Sequence, residues 1–140
     1  MRHVRLPEQV YRNEPTDVDM SVALSYSGPI QVELIQQHND APSLYRDFLK
    51  ERPEGGLHHL AFVTEKLDDA IAQGEAIGTP MAQQWTDQLG GRYAYLERTS
   101  DGEPYVELLE ATPTLLGFFE QIQKTCARWD GEDPHRVVGA

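Results

Sequence analysis

The sequence predicts an α+β fold, with short strands of a mixed sheet and amphipathic helices around one core. Three observations lead to this prediction. Residues 18–25 alternate between apolar and polar side chains, which is the period of a half-buried strand. Residues 67–77 and 113–129 carry apolar side chains at helical spacing. The chain has 140 residues, 39% of them hydrophobic, so it can form a single domain with its own core.

The charge and cysteine content restrict the possible partners. Lys and Arg number 12 against 23 Asp and Glu, and the net charge of −11 disfavours nucleic acids and anionic membranes. No apolar run reaches the length of a membrane-spanning helix, and the first residues do not resemble a signal peptide. The single cysteine, Cys126, cannot form an internal disulfide. We therefore expect a cytoplasmic protein that acts on a small-molecule substrate.

The first part of the chain predicts a β-hairpin. Residues 1–15 are polar and favour at most a short edge strand near residues 3–6. The alternating run at residues 18–25 is followed by a Ser-Gly-Pro turn sequence and by a second strand at residues 30–35. The apolar side chains of the first strand should therefore pack in the core.

The remaining elements follow in order. A short helix at residues 42–50, with Pro42 at an early position, leads into a connector rich in charge, Pro and Gly. The next elements are a strand, a helix and three strands, predicted at residues 57–63, 67–77, 80–85, 92–96 and 105–109. This order indicates a βαβββ arrangement in the second part of the chain.

Capping residues mark the helices of the second part. Thr64 is the expected N-cap of the helix at residues 67–77, and Gly78 ends that helix. Thr112 and Pro113 are the expected cap and first residue of a terminal helix. The apolar side of the terminal helix comprises Leu116, Phe119, Ile122, Cys126 and Trp129. This side should dock on the sheet or on another subunit.

Two adjacent histidines stand near the start of the strand at residues 57–63, after a glycine pair that permits a sharp turn. Because successive strand residues point to opposite faces, His58 and His59 cannot share one site. The face with His58, Leu60 and Phe62 is the bulkier and more apolar one, so we assign it to packing. His59 is then the histidine that faces a cavity.

Two other strands each place one carboxylate within an apolar run. Glu33 lies in Ile-Gln-Val-Glu-Leu-Ile, and Glu107 lies in Tyr-Val-Glu-Leu-Leu. An unpaired carboxylate is costly to bury, so a charge at these positions indicates a partner. A divalent cation would serve Glu33, His59 and Glu107 together. Two carboxylates and one imidazole suit manganese, iron, cobalt, nickel or zinc.

Asp19 is a candidate general base. It lies on the polar face of the first predicted strand with Ser21, and we expect the hairpin to bring that face alongside Glu33. A carboxylate near a metal could accept a proton from a substrate. The alternative is that Asp19 is an ordinary exposed carboxylate at the end of a strand.

The chain resembles the vicinal oxygen chelate superfamily, and within it the methylmalonyl-CoA epimerase and glyoxalase group. The resemblance rests on segments within roughly residues 18–110, namely residues 31–35, 56–62, 92–96 and 106–110. The Gly-Leu-His-His sequence in the second segment is typical of the epimerase-like branch. The Val-Glu-Leu-Leu sequence in the last segment is less specific.

The resemblance implies two βαβββ-type modules that pair into an open mixed-sheet barrel around a divalent metal. It implies metal ligands at Glu33 in the last strand of the first module and at His59 and Glu107 in the first and last strands of the second. The implied divisions are a truncated first module at residues 1–40, a linker helix at 41–54, a second module at 55–111, and a C-terminal helix and tail at 112–140.

The chain differs from the family pattern at its start. A full member opens with a strand that carries a fourth ligand, a histidine, and continues with a helix, and residues 1–15 match neither. Either the start is misplaced or truncated, or the protein is a shortened form. An incomplete barrel has an exposed strand edge that can pair with another chain. We therefore expect a homodimer or a higher homo-oligomer.

Two classes of function follow from the resemblance. The first is a metal-dependent isomerase, epimerase or lyase that stabilises the enolate of a small acyl or keto substrate. The alternative is a non-catalytic, resistance-type protein that binds a small molecule and has a degenerate metal site. An extradiol-type dioxygenase ranks last, because the sequence offers no second histidine facing the cavity. A CoA thioester is disfavoured as substrate, because no basic cluster is evident for its phosphates.

Overall fold

The structure is a computed structural model that describes residues 1–88 and 90–136. Its strands are β1 (Val10–Tyr11), β2 (Glu14–Pro15), β3 (Met20–Ser27), β4 (Ile30–Gln37), β5 (His59–Thr64), β6 (Met81–Thr86), β7 (Arg92–Leu96) and β8 (Tyr105–Glu110). Its helices are α1 (Leu44–Glu51), α2 (Leu67–Ala76) and α3 (Pro113–Ala127). The predicted α+β class, with an open mixed sheet and a C-terminal helix, is confirmed.

The described strands form two sheets. The larger has the order β2-β1-β6-β7-β8-β5, and the smaller is the β3-β4 hairpin. β5 and β8 are parallel, whereas the other neighbouring strands are antiparallel. The β1-β2 hairpin was not predicted, because two-residue strands leave no measurable alternation. The predicted edge strand near residues 3–6 is reduced to a single bridge between Val4 and Met20.

The main core joins one face of β3 to α1 and to one face of the larger sheet. Val18, Met20 and Val22 are buried, as their alternation predicts. They belong to one apolar cluster with side chains of α1 and the larger sheet, namely Leu44, Tyr45, Phe48, Ala82, Trp85, Tyr95 and Tyr105. α1 is held at this position by Gln83, whose buried side-chain oxygen accepts a 2.7 Å hydrogen bond from the Leu44 N–H.

The other two helices lie outside this core. α2 contacts β6, β7 and β8 on their opposite face through a second apolar cluster that includes Leu67, Leu96 and Leu108. α3 packs against β3, where Cys126 Sγ lies 3.7 Å from Ser25 Oγ. Within the part of the chain that the structure describes, no helix combines the length and apolar character needed to cross a membrane.

The helix ends agree with the predictions in part. Thr112 caps α3, because its hydroxyl accepts a 3.1 Å hydrogen bond from the Leu115 N–H, and Pro113 is the first helical residue. α1 is capped by Ser43, so Pro42 lies before the helix. The prediction of Thr64 as the N-cap of α2 is wrong. Lys66 occupies that position, and the Thr64 hydroxyl accepts a hydrogen bond from its N–H.

The predicted packing face of β5 is wrong, and that of α3 is confirmed only in part. Leu60 and Phe62 of β5 are 49% and 54% exposed, because α2 covers β6 to β8 and leaves the outer face of β5 open. On α3 the buried residue is Leu115, whereas Leu116 is 47% exposed. Trp129 lies beyond the end of α3 and is 52% exposed. Each periodic pattern identified an apolar face but not the element that covers it.

Gly74→Ala should destabilise the protein. A Cβ added at Gly74 in α2 would lie 2.7 Å from Leu96 Cδ1 and 2.9 Å from the Thr79 carbonyl oxygen. Overpacking of this kind costs about 1–3 kcal/mol, which exceeds the gain of about 1 kcal/mol in helix propensity. The matched control is Gly117→Ala in α3, where no atom lies within 4 Å of the added Cβ and a small stabilisation is expected. Urea denaturation measures both, and equal effects would contradict the packing argument.

Candidate metal centre

The structure brings together Glu33, His59 and Glu107, which are distant in sequence. One ligand atom from each lies within 4.8 Å of the others. His59 and Glu107 share a face of the larger sheet, because parallel pairing places His59 opposite Tyr105 and Ala61 opposite Glu107. Glu33 reaches the same point from β4, which belongs to the smaller sheet.

His59 lies between the two carboxylates. Its Nε2 is 3.1 Å from Glu33 Oε2 and 3.3 Å from Glu107 Oε2. The Glu33, His59 and Glu107 side chains are 25%, 10% and 6% exposed, respectively. Exposure therefore falls from Glu33 to Glu107, so a small molecule would enter this centre from the Glu33 side.

The charges at the centre depend on one another. Burial raises the pKa of the Glu107 carboxyl, and the adjacent His59 opposes this effect. Burial alone would lower the pKa of His59, but hydrogen bonds and attraction from Glu107 and Glu33 outweigh it and raise that pKa to about 9. Without a metal, His59 is thus an imidazolium at neutral pH and offsets one of the two negative charges that ionised Glu33 and Glu107 carry.

Tyr95 supports the centre and was not among the predicted site residues. Its hydroxyl lies 3.3 Å from the Tyr45 hydroxyl and 3.5 Å from His59 Nδ1. It also lowers the pKa of the Glu107 carboxyl, in opposition to the effect of burial. Burial raises the pKa of Tyr95 well above 10, so its hydroxyl keeps its proton. The alternation of Tyr93 and Tyr95 in β7 was a signal that could have placed Tyr95 on the inner face.

His58 lies behind the centre, in a shell of aromatic rings. Its Nδ1 is 3.1 Å from His59 Nδ1. Burial, followed by the charge of His59, lowers the pKa of His58 to about 3, so this ring is uncharged. The assignment of His58 to packing is therefore consistent with its surroundings, although it also contacts the candidate ligand directly.

Asp19 is not brought to the centre. β3 and β4 pair with Leu24 opposite Glu33, so the predicted placement of Asp19 beside Glu33 is wrong. The Asp19 carboxylate instead lies 3.2 Å from His3 Nδ1 and 3.8 Å from an Arg5 guanidinium nitrogen. A group held there does not reach a substrate at Glu33, His59 and Glu107.

The three ligand atoms fit a divalent transition ion. Two carboxylate oxygens and one imidazole nitrogen form a mixed donor set that suits Mn, Fe, Co, Ni or Zn. Small side-chain adjustments would suffice to bring atoms 4.8 Å apart or less to ligand distances of about 2.0–2.2 Å from one ion. In this structure His59 Nε2 contacts both carboxylates directly.

A family model described as the Glyoxalase/Bleomycin resistance protein/Dioxygenase superfamily matches residues 4–96. The chain belongs to this superfamily. The match includes Glu33 and His59, whereas Glu107 lies beyond it and joins them through the geometry of β8. No curated protein matches the chain significantly.

Metal binding should depend on pH through His59. An ion that binds Nε2 must displace a proton held with a pKa of about 9. The apparent association constant should therefore rise about tenfold per pH unit from pH 6.5 and level off near pH 9. Isothermal titration with Mn²⁺ across this range measures it. In Glu33→Gln, which lacks one of the two carboxylates, the pKa of His59 measured by NMR without metal should fall, and an unchanged pKa would contradict this electrostatic account.

Proposed function

We propose that this protein is a metal-dependent isomerase, epimerase or lyase that acts on a small acyl or keto substrate. The observation that carries the proposal is the convergence of Glu33, His59 and Glu107 within 4.8 Å, with Glu107 buried. A divalent ion bound there would supply the Lewis acidity that stabilises negative charge on a substrate oxygen beside an acidic carbon. The epimerase-like branch of the superfamily is part of the proposal.

The residues around the centre would orient the substrate and exclude water. Trp85 and Tyr93 are stacked with ring centroids 5.9 Å apart and lie on the same inner face as Tyr95 and Glu107. These rings form a wall of low polarity, which strengthens electrostatic interactions at the centre. Tyr95 retains its proton and lowers the pKa of the Glu107 carboxyl. Asp19 is not part of this proposal because it lies with His3 and Arg5.

One observation favours the alternative, a non-catalytic protein that binds a small molecule. His59 contacts both carboxylates, at 3.1 Å and 3.3 Å. As an imidazolium it offsets one of their two negative charges without an ion, and Glu33, which is 25% exposed, can be solvated. A degenerate centre of this kind would stabilise the fold and leave the aromatic wall available to an uncharged ligand.

Metal content and ion-induced stabilisation separate the two functions. The wild-type protein should contain about one metal ion per chain by mass spectrometry. An added ion at about 100 times its Kd should stabilise the fold by about 2.7 kcal/mol. His59→Ala and Glu107→Gln should lose both effects, because each removes a ligand. Glu110→Gln is the matched control, because Glu110 lies on the same strand as Glu107 but pairs with Arg92.

Two results would decide against the enzyme. A metal-free wild-type protein that no divalent ion stabilises would favour the binding protein. Metal retained equally in Glu107→Gln and Glu110→Gln would place the ion elsewhere. Thermal unfolding of each variant without metal establishes that the substituted chain is folded, so a loss of metal is assigned to the lost ligand.

We also propose that a second copy of this chain covers β4 and β5. Within residues 1–88 and 90–136, β4 pairs only with β3, and β5 pairs only with β8. Both strands lack Lys and Arg, the residues that usually protect an open edge. Large apolar side chains on them are exposed, including Ile30 at 67% and Leu34 at 68%. Each copy carries the same open edges, so two copies can pair symmetrically.

Leu34→Lys should dissociate this assembly. A charge on the exposed face of β4 would have to be desolvated in the interface, which is costly. Analytical ultracentrifugation should therefore show a dimer or larger assembly for the wild type and a monomer for the variant. The matched control is Ile77→Lys, which changes a residue 76% exposed at the end of α2. A monomeric wild type, or equal effects of the two substitutions, would contradict this interface.

A further inference from the structure

His58 presents a buried polar atom that the proposed function does not use. Its Nε2 is the one buried side-chain nitrogen or oxygen without a hydrogen-bond partner in the described parts of the chain. Four aromatic rings surround the imidazole. Their centroids lie between 5.0 and 5.6 Å from that of His58 and belong to Tyr45, Tyr105, Phe48 and Tyr95. An unpaired polar atom in such a position requires an explanation.

The aromatic shell selects one tautomer of His58. The face of an aromatic ring is electronegative, so it attracts an N–H group and repels a nitrogen lone pair. Phe48 and Tyr95 stand at 79° and 82° to the imidazole, a geometry in which the edge of one ring approaches the face of another. The neutral ring has one N–H and one lone pair. Because Nδ1 is directed at His59 and Nε2 is buried among the rings, a proton on Nε2 suits this shell better than a lone pair does and leaves the lone pair on Nδ1.

The lone pair on His58 Nδ1 faces His59. The two Nδ1 atoms are 3.1 Å apart, so one of them must donate to the other. Because His58 Nδ1 is the acceptor, His59 Nδ1 carries the proton. The Tyr95 hydroxyl is a more distant partner at 3.5 Å from His59 Nδ1. When an ion displaces the proton of His59 Nε2, this nitrogen presents a lone pair to the position between Glu33 and Glu107, while Nδ1 keeps its proton.

We infer that His58 is a positioning residue whose Nδ1 accepts the Nδ1–H of His59 and thereby presents His59 Nε2 as a metal ligand. This inference rests on the proposed metal centre. Metal-binding histidines generally donate their second ring N–H to a carboxylate, a carbonyl or water. Here a second histidine, His58, is the acceptor, and its own N–H group lies inside the aromatic shell.

The local backbone allows neighbouring histidines to meet in this way. β5 begins at His59, so His58 lies just before the regular alternation of the strand. The φ angle of Gly56 is +144°, a conformation that L side chains rarely adopt. The His58 carbonyl nevertheless accepts a 2.8 Å hydrogen bond from the Tyr105 N–H, which anchors the residue beside β8.

The tautomer can be measured directly in the full-length wild-type protein without metal. Long-range ¹H–¹⁵N correlation spectra distinguish a protonated ring nitrogen from one with a free lone pair. For His58 we expect a protonated Nε2 and an unprotonated Nδ1. A protonated Nδ1 on His58 would overturn the inference, whether or not the protein binds metal.

Two different substitutions at His58 test the effect of this residue on metal affinity. His58→Phe fills the aromatic shell but removes the acceptor, so Co²⁺ affinity should fall roughly 10- to 100-fold, the usual effect of losing such a partner. His58→Asn places an amide oxygen near the position of Nδ1 and should restore most of the affinity. The visible spectrum of bound Co²⁺ should change in His58→Phe and remain like the wild type in His58→Asn.

The possible results separate this inference from the proposed function. Equal affinities in wild type and His58→Phe would overturn the inference while the metal centre stands. Equal losses in His58→Phe and His58→Asn would also overturn it, because they would indicate a packing role. If the wild type binds no Co²⁺, the proposed function fails, and the tautomer of His58 in the metal-free protein still decides whether this residue positions His59.

Discussion

The buried carboxylate of Glu107 is the constraint on which the rest of the structure depends. At 5% exposure, an ionised side chain requires a cation or hydrogen-bond donors close to it. His59 and Tyr95 provide them from within the larger sheet. Glu33 approaches from the smaller sheet and shares the same imidazole. The imidazole of His59, which both carboxylates contact, therefore links the two sheets at the point where a ligand would bind.

The aromatic core makes this arrangement rigid and dry. Tyr45 and Tyr95 are almost perpendicular, with ring centroids 6.0 Å apart, and their hydroxyl groups lie within hydrogen-bonding distance. Trp85 packs between Tyr45 and Tyr93. Because few water molecules can enter such packing, interactions among charged and polar groups are stronger than at the surface. Tyr45 and Tyr95 also surround His58. The packing of the core and the orientation of His59 therefore depend on the same rings.

Strand patterns were sufficient to predict the three candidate ligands, but they placed Asp19 incorrectly. Glu33 and Glu107 were identified because each is a charge in an apolar run, and His59 because of strand alternation. The predicted placement of Asp19 beside Glu33 is wrong because the length of the hairpin loop sets a different register. A two-residue loop pairs Ser27 with Ile30 and hence Leu24 with Glu33, so Asp19 cannot lie on the face of Glu33.

The sequence by itself determined the order of the elements from β3 onward, the N-cap of α3 and the identity of three residues able to share an ion. These depend on local periodicity, side-chain chemistry and turn residues, which a linear chain displays directly. Only the tertiary structure decided that α2 leaves β5 open, that the Tyr95 hydroxyl lies beside His59, and that His58 contacts His59 inside an aromatic shell. Periodicity indicates which face of an element is apolar, but long-range packing determines which element covers that face.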